Sequence, residues 1–176
     1  MKLKKINMLS SKKADGVFGM SFGMIFSIIL IVFFFAAAFL GIRTFLNWQK
    51  CAQVGMFFED VQNRVDEAWN SPSASYRFNA TLPTSIKNVC LINVTGTTTN
   101  ANNIEKAIFN YIKTGYLDPT KNFYIYAPNA NLCMNWKTLK HISYANKNPQ
   151  CFSVVNGLVS IKIERKFEDL FPSLLA

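Results

Sequence analysis

The longest apolar run in the chain covers residues 17–46 and contains no charged side chain before Arg43. A helix of about 20 apolar residues crosses the hydrocarbon core of a bilayer, and the apolar core of a signal peptide is shorter. Because a backbone in hydrocarbon must pair its own N–H and C=O groups, such a run forms a helix. The pattern therefore predicts a transmembrane helix over residues 17–46.

A second apolar pattern follows this run directly. After residue 50, apolar side chains recur at steps of three and four residues, which is typical of one face of a helix. The members are Cys51, Val54, Phe58, Val61, Val65 and Ala68. Asn70-Ser71-Pro72 is a typical helix end, and no proline precedes it. One helix is therefore predicted over residues 17–69. Its amphipathic part, residues 47–70, is expected to pack under a globular head, and a coiled-coil stalk is the alternative interpretation.

Residues 71–176 contain short apolar runs separated by turn residues, which predicts an α/β head built mainly from antiparallel strands. Asn102 followed by Glu105 is a capping-box signature, so a short helix is predicted to begin there and to end at Gly115. Its apolar face is predicted to comprise Ile104, Ile108, Tyr111 and Ile112. The predicted strands cover residues 76–78, 86–94, 123–127 and 136–144.

Two apolar stretches near the end of the chain, residues 152–155 and 158–165, flank the pair Asn156-Gly157. Both residues of such a pair tolerate positive φ, which favours a two-residue hairpin of type I′. In the second stretch valine and isoleucine alternate with polar residues, so one face is predicted to be buried and the other solvated. Together with the long helix, these strands place the chain in the α+β class.

The charge distribution predicts how the chain is oriented in the membrane. Residues 1–16 carry five lysines and a single acidic residue, Asp15. Lysines beside a membrane helix remain in the cytoplasm and contact anionic lipid, so residues 71–176 are predicted to be extracytoplasmic. The formal net charge is +9, but beyond residue 16 the chain has 14 basic and 9 acidic residues. That excess indicates a mildly basic surface and does not indicate a nucleic-acid partner.

Four cysteines fall in the part of the chain that is predicted to be exported: Cys51, Cys90, Cys133 and Cys151. Extracytoplasmic compartments are usually oxidising, so we expect disulfides. No CxxC pair occurs and the chain has one histidine, so no metal site is predicted. Four cysteines allow three pairings. The predicted elements favour Cys51–Cys90 with Cys133–Cys151; the other pairings, and four buried thiols, remain alternatives.

The sequence contains no motif of a nucleophilic, metal-dependent or nucleotide-dependent enzyme, so no catalytic residue and no cofactor is predicted. The only histidine, His141, is expected on the surface of a strand. An aromatic group (Phe123, Tyr124, Tyr126, Trp136 and Tyr144) is interpreted mainly as core, with a ligand platform as the alternative. Asn79 and Asn93 begin N-glycosylation sequons. Asn79 is favoured, because Asn93 falls within a predicted strand.

Small residues recur at one spacing in the apolar run. Gly19, Gly23 and Ser27 are four residues apart, a GxxxG-type pattern that lets two helices approach closely in a membrane. They are candidate helix-packing residues. The alternative is that glycine is simply frequent in membrane helices.

A basic leader, a glycine and then a long apolar helix also occur in type IV prepilins. Over residues 1–50 the chain resembles the type IV pilin-like proteins of archaea. The resemblance implies a candidate prepilin-peptidase site between Gly16 and Val17 and a lollipop-shaped subunit. The block SFGMIFSIILI, followed by QKCAQVGMF, is also similar to uncharacterised membrane-anchored proteins of small-genome archaea, which implies no particular activity.

Two functions are compatible with these features. The first is a pilin-like or pseudopilin-like subunit of a surface filament or secretion-type assembly, which contacts other subunits through its N-terminal helix. The second is a permanently anchored single-pass protein whose head is a binding module. The first is preferred, but Ser21 brings the two close, because pilins usually carry a glutamate at the fifth position after the cleavage site and serine cannot neutralise a neighbouring N-terminus. An exported enzyme has no supporting motif.

Overall fold

A computed structural model describes residues 22–115, 118–128, 130, 132–144 and 146–175 of the chain. The chain divides into two compact units, Met1–Thr44 and Phe45–Ala176. The basic tail over residues 1–16 and the first predicted helical residues, 17–21, lie outside the described residues.

The longest element is helix α1, Phe22–Asn70, which has 49 residues. In the first unit its side chains from residue 23 onwards are exposed. Among the described residues α1 is the one helix that is long and apolar enough to cross a membrane. The predicted long helix is thus confirmed over the described residues, and it ends one residue beyond the predicted end.

Within the described residues of the second unit, a short helix and seven strands follow α1. In chain order they are β1 Ala74–Thr81, β2 Asn88–Leu91, α2 Asn103–Gly115, β3 Phe123–Tyr126, β4 Trp136–Lys137, β5 Gln150–Ser153, β6 Leu158–Arg165 and β7 Ser173–Leu175. They form two antiparallel sheets, one in the order β1-β6-β7 and one in the order β4-β3-β2-β5. The predicted α+β class is confirmed.

The apolar stripe on α1 builds the main core. Its members from Val54 to Ala68 are at most 1% exposed, and they pack with residues of both sheets. The ring of Phe58 lies 5.9 Å from the ring of Phe123 on β3, centroid to centroid. On β6 the inward residues Val159, Ile161 and Ile163 are buried, as the alternation predicts. Packing of residues 51–68 against the head is therefore confirmed, and the coiled-coil interpretation is wrong for this helix.

A second, smaller core lies between the second sheet and α2. The capping box is confirmed, because Asn102 N–H donates to the Glu105 carboxylate and Glu105 N–H donates to Asn102 Oδ1, both at 2.9 Å. The predicted apolar face of α2 is partly wrong, since Ile104 and Tyr111 are 68% and 46% exposed. The buried residues are Glu105, Ile108, Phe109 and Ile112, spaced as one helical face. Burial of Glu105 is offset by the cap and by Lys147, whose Nζ lies 2.6 Å from its Oε1.

The Asn156-Gly157 turn connects two sheets instead of closing a hairpin. Both residues have positive φ, 52° and 79°, as a type I′ turn requires. Val155 and Leu158 exchange both backbone hydrogen bonds at 2.9 Å, and there the pairing ends. Beyond this bridge β5 pairs with β2, whereas β6 pairs with β1. The predicted turn is correct, and the predicted hairpin ladder is wrong.

Two predicted strands are shorter in the structure. The stretch predicted over residues 86–94 forms β2 only at Asn88–Leu91, and the stretch over residues 136–144 forms only the two residues of β4. In the second case the backbone after β4 forms its hydrogen bonds with side chains and not with a neighbouring strand. Leu139 exchanges two hydrogen bonds with the Asn122 side chain, and Lys140 exchanges two with the Gln62 side chain.

Asn148 joins two loops next to α2 and is 8% exposed. Its Oδ1 accepts from Asn93 N–H at 2.9 Å, and its Nδ2 donates to the carbonyls of Asn93 and Thr97 at 3.0 and 2.8 Å. Its backbone also exchanges two hydrogen bonds with Thr99. Every polar atom of the side chain is therefore paired within the protein.

Substitution Asn148→Ala is expected to lower the free energy of unfolding by about 2–3 kcal/mol, because it leaves a part-buried N–H and two carbonyls without their partner. Chemical denaturation of the detergent-solubilised chain measures this loss. Asn103→Ala is the matched control: Asn103 is exposed, and a change within about 0.5 kcal/mol is expected there. Equal effects of the two substitutions would contradict the role of Asn148.

Candidate functional site

The first candidate site is the apolar surface of α1 in the first unit. Its large apolar side chains from Met24 to Ile42 are 39–74% exposed. Ser27 Oγ donates to the Gly23 carbonyl at 2.8 Å, so the hydroxyl is paired within the helix. Arg43, the first charged residue after the run, lies over the ring of Phe39 at 4.4 Å. This surface is suited to contact with lipid or with another apolar helix.

Only part of the predicted helix-packing motif can be placed. Gly23 and Ser27 lie four residues apart on α1 and therefore share one face. Gly16, Val17, Gly19 and Ser21 lie outside the described residues. Contact between two such helices and cleavage after Gly16 stay predictions.

The disulfides differ from the favoured pairing. Cys51 is bonded to Cys133, with Cα atoms 5.5 Å apart, and Cys90 is bonded to Cys151, with Cα atoms 4.0 Å apart. The expectation that cysteines form disulfides is met, whereas the pairing Cys51–Cys90 with Cys133–Cys151 is wrong. The first bond ties α1 to the loop before β4, and the second joins neighbouring strands β2 and β5.

The direction of the β2 side chains explains the actual pairing. Val89 and Leu91 point towards α1, and Cys90, between them, points towards α2. Cys90 thus lies on the opposite face of the sheet from Cys51. In the ladder, Cys90 is directly opposite Cys151. Directly opposed residues of an antiparallel pair have Cβ atoms close enough for a disulfide.

A contact at the end of α1 was not predicted. His141 Nδ1 lies 2.9 Å from Asp66 Oδ1, and its ring stacks on Trp69 with centroids 3.8 Å apart. Gln62 Nε2 also donates to Asp66 Oδ1, at 2.9 Å. His141 has a φ of 55° and lies outside any strand, so its predicted place on a strand surface is wrong. The cluster ties the last turns of α1 to residues 140–141.

The two sequons occupy different local structures. Asn79 is exposed on the outward face of β1. Asn93 lies in a turn after β2, and its Oδ1 accepts from the N–H and hydroxyl of Thr95 at 3.2 and 2.8 Å. The assumption that Asn93 lies inside a strand is wrong, and the strand contains Asn79 instead. Asn79 is exposed and Asn93 is half-buried, and glycosylation of either stays a prediction.

The aromatic side chains do not form one platform. Phe123 and Tyr124 are at most 1% exposed and point into the two separate cores. Tyr126 packs edge-on against Tyr111, with centroids 5.4 Å apart. Trp136, which is 36% exposed, lies under the ammonium group of Lys121. The interpretation as core is confirmed for Phe123 and Tyr124.

The environment of Tyr124 gives a prediction about pH. Burial, with a smaller contribution from the Asp118 carboxylate, raises the pKa of Tyr124 to about 12. Tyrosine in an unfolded chain ionises with a pKa of about 10. Between these values the unfolded state loses this proton first, so stability is expected to fall as the pH rises from about 10 to about 12.

Spectrophotometric titration of the tyrosinate band tests this point. Tyr124→Phe should remove the component that ionises near pH 12, and Tyr111→Phe, at an exposed position, should leave that component in place. A titration curve of Tyr124→Phe whose late component is unchanged would contradict the assignment.

Open grooves flank α1 in the second unit. One groove, with a volume of about 360 Å³, runs between α1 and β1 and is lined by Met56, Phe78 and Leu158. Another, of about 570 Å³, is lined by Trp48, Lys50 and Cys51 of α1 and by Ser85, Ala130, Leu132 and Cys133. Within the described ranges, no three His, Cys, Asp or Glu side chains are grouped so that they could hold a metal ion.

Comparison of the chain with protein-family models, curated proteins and solved structures finds no significant match.

Proposed function

We propose that the chain is a single-pass membrane protein that acts as an extracytoplasmic structural or interaction subunit. One observation carries this proposal: the side chains of the apolar part of α1 are exposed and need a partner of low polarity. The two disulfides support an oxidising compartment for the head. The lysines before the apolar run support a cytoplasmic N-terminus.

The subunit that fits these features best is pilin-like, assembling into a surface filament or a secretion-type complex. A basic leader ending in Gly16 precedes the apolar helix, and residues 51–68 of the same helix pack against antiparallel sheets. Small residues at Gly19, Gly23 and Ser27 would let neighbouring helices approach closely in a filament core. In this proposal the helix first holds the precursor in the bilayer and then joins the assembly.

The mature N-terminus tests the pilin-like proposal. Intact-mass spectrometry of the protein purified from native membranes should give a chain that begins at Val17. Gly16→Leu should leave the leader uncleaved and should abolish assembly while the head still folds. A native protein that retains its lysine-rich tail would contradict the pilin-like proposal.

A permanently anchored protein with a binding head is the second candidate. Ser21 supports it, because this position holds glutamate in pilins, where the carboxylate neutralises the N-terminus of the next subunit. In that case the membrane-extracted protein keeps residues 1–16 and stays a membrane protein after any wash that removes peripheral proteins. The same mass spectrum therefore separates the two candidates.

A further inference from the structure

We propose that one end of the head binds the surface of the bilayer through anionic lipid headgroups. This end, the basal surface, consists of Trp48, Lys50, Lys87, Val155 and Leu158. The inference rests on the proposed function, since it needs the apolar run to be inserted in a membrane. It adds a second membrane contact to the one that the apolar run makes.

Covalent and hydrogen bonds bring these residues to one end of the second unit. Trp48 and Lys50 share a groove with Ser85 and Leu132, next to the Cys51–Cys133 bond. The Lys87 carbonyl accepts from Val154 N–H at 2.9 Å, which places Lys87 beside the turn that holds Val155 and Leu158. The basal surface is therefore assembled from α1 and two loops of the head.

The turn is fixed to the same end of α1. Leu82 N–H donates to the Gly157 carbonyl at 2.7 Å, and Gln53 Nε2 donates to the Thr81 carbonyl at 3.2 Å. A Cβ atom on Gly157 would lie 2.8 Å from the Leu82 carbonyl oxygen, so the turn packs tightly on its neighbour. The position of Val155 and Leu158 thus follows from the fold and not from a free loop.

The basal surface exposes apolar side chains, whereas the other outward-facing residues of β6 are polar. Along β6 the outward positions after Leu158 are Ser160, Lys162 and Glu164. Leu158 and its bridge partner Val155 are 57% and 63% exposed, and Trp48 is 70% exposed. Tryptophan and aliphatic side chains in such positions are typical of the region between water and hydrocarbon.

The charge at this end is complementary to an anionic membrane. Residues 45–58, 82–87, 127–133 and 154–158 contain Lys50 and Lys87 and no acidic residue, and Asp60, further along α1, lines the same groove as Leu158. Both lysines are exposed, and in the part of the chain that the structure describes neither takes part in an ion pair. A lysine near an anionic leaflet is attracted to its headgroups, and the attraction falls off within a Debye length.

The length of the connecting chain identifies the bilayer as the occupant. Four residues lie between the end of the apolar run at residue 46 and Cys51, where the disulfide holds the head. This segment is part of α1, so at a rise of 1.5 Å per residue Cys51 lies only about 7.5 Å along the helix from residue 46. The headgroup layer on each side of the hydrocarbon is several ångströms thick, so Trp48, Lys50 and the Cys51–Cys133 bond lie close to the headgroups when the apolar run is inserted.

Lysine footprinting of the full-length chain tests the inference. The chain is placed in nanodiscs of phosphatidylcholine alone or of phosphatidylcholine mixed with phosphatidylglycerol, and the acetylation rate of each lysine is measured by mass spectrometry. Lys87 is expected to react about threefold more slowly, or slower still, in the anionic nanodiscs. Lys166, an exposed residue beside the far end of α1, is the internal control and should change little.

Two double variants separate the apolar contribution from a general effect of charge. Val155→Ser with Leu158→Ser should remove the protection of Lys87. Phe167→Ser with Leu170→Ser is the matched control, since these residues are 83% and 80% exposed away from the basal surface. Equal reactivity of Lys87 in both lipids, with the chain fully incorporated, would overturn the inference and leave the anchor intact. A chain that does not enter nanodiscs at all would overturn the proposed function itself.

Discussion

Replacing Phe58 with alanine is expected to lower the free energy of unfolding of the second unit by about 3–5 kcal/mol. Phe58 is fully buried, and its ring contacts the rings of Phe57 on α1 and Phe123 on β3. Removing the ring leaves a cavity where the helix meets the second sheet, and close-packed surroundings relax into such a cavity only in part.

The measurement is denaturant unfolding of the full-length chain in detergent, followed by tryptophan fluorescence or near-ultraviolet circular dichroism. Met56→Ala on the same helix is the control, because Met56 is 58% exposed and its loss should change stability by no more than about 0.5 kcal/mol. Comparable effects of the two substitutions would show that residues 51–68 do not pack on the head in this way.

Removal of the Cys90–Cys151 bond is expected to have the second large effect. The bond closes a loop with a sequence separation of 61 residues, for which chain entropy alone gives about 4 kcal/mol. Cys90 is fully buried in the core beneath α2, so the double variant Cys90→Ala with Cys151→Ala also loses packing there. We therefore expect a loss of about 4–5 kcal/mol, measured by denaturant unfolding.

The other bond provides a matched comparison. Cys51–Cys133 has a sequence separation of 82 residues, but Cys133 is exposed and Cys51 is half-buried. A mild reductant should therefore open this bond before Cys90–Cys151. Peptide mapping of the non-reduced protein identifies the pairs directly. Linked peptides that contain Cys51 with Cys90, or Cys133 with Cys151, would contradict the structure.

The second half of α1 could be predicted from the sequence because burial follows one helical period from Val54 to Ala68. The residues from Val54 to Ala68 that the three-and-four spacing selects are all buried against the sheets, and Phe57 is buried with them although the spacing did not select it. The same reasoning succeeded on β6, where Val159, Ile161 and Ile163 alternate with outward residues. In both elements one face meets a core and the other meets solvent, which is the condition under which periodicity is informative.

The second sheet could not be predicted as well, because both of its faces are covered. α1 lies on one face of β2 and α2 on the other, so Val89, Cys90 and Leu91 are all buried. A continuous apolar run does not reveal which residues share a face. The sequence therefore did not indicate on which face of the sheet Cys90 lies. The favoured pairing of the cysteines was wrong for this reason.

Long-range polar contacts account for the other differences. His141 meets Asp66 across 75 residues, and Asn122 and Gln62 supply the partners that end β4 after two residues. Such contacts depend on where the fold brings distant loops together. No local pattern around His141 indicated a carboxylate partner or the stacking on Trp69.

The basal surface could be identified only from the structure. Val155 and Leu158 appear in the sequence only as the ends of two apolar stretches. The structure places them side by side on an exposed turn and places Lys87 next to that turn. The proposed second membrane contact depends on this juxtaposition.

Accessibility of the head in intact cells tests the anchored topology most directly. Cells that express the full chain are treated with a membrane-impermeant amine reagent, and modification of Lys140 and Lys166 is compared before and after lysis. Both lysines are exposed on the second unit, so the account predicts that intact cells give the same extent of modification as lysed cells. Modification that appears only after lysis would contradict it, because the head would then lie in the cytoplasm.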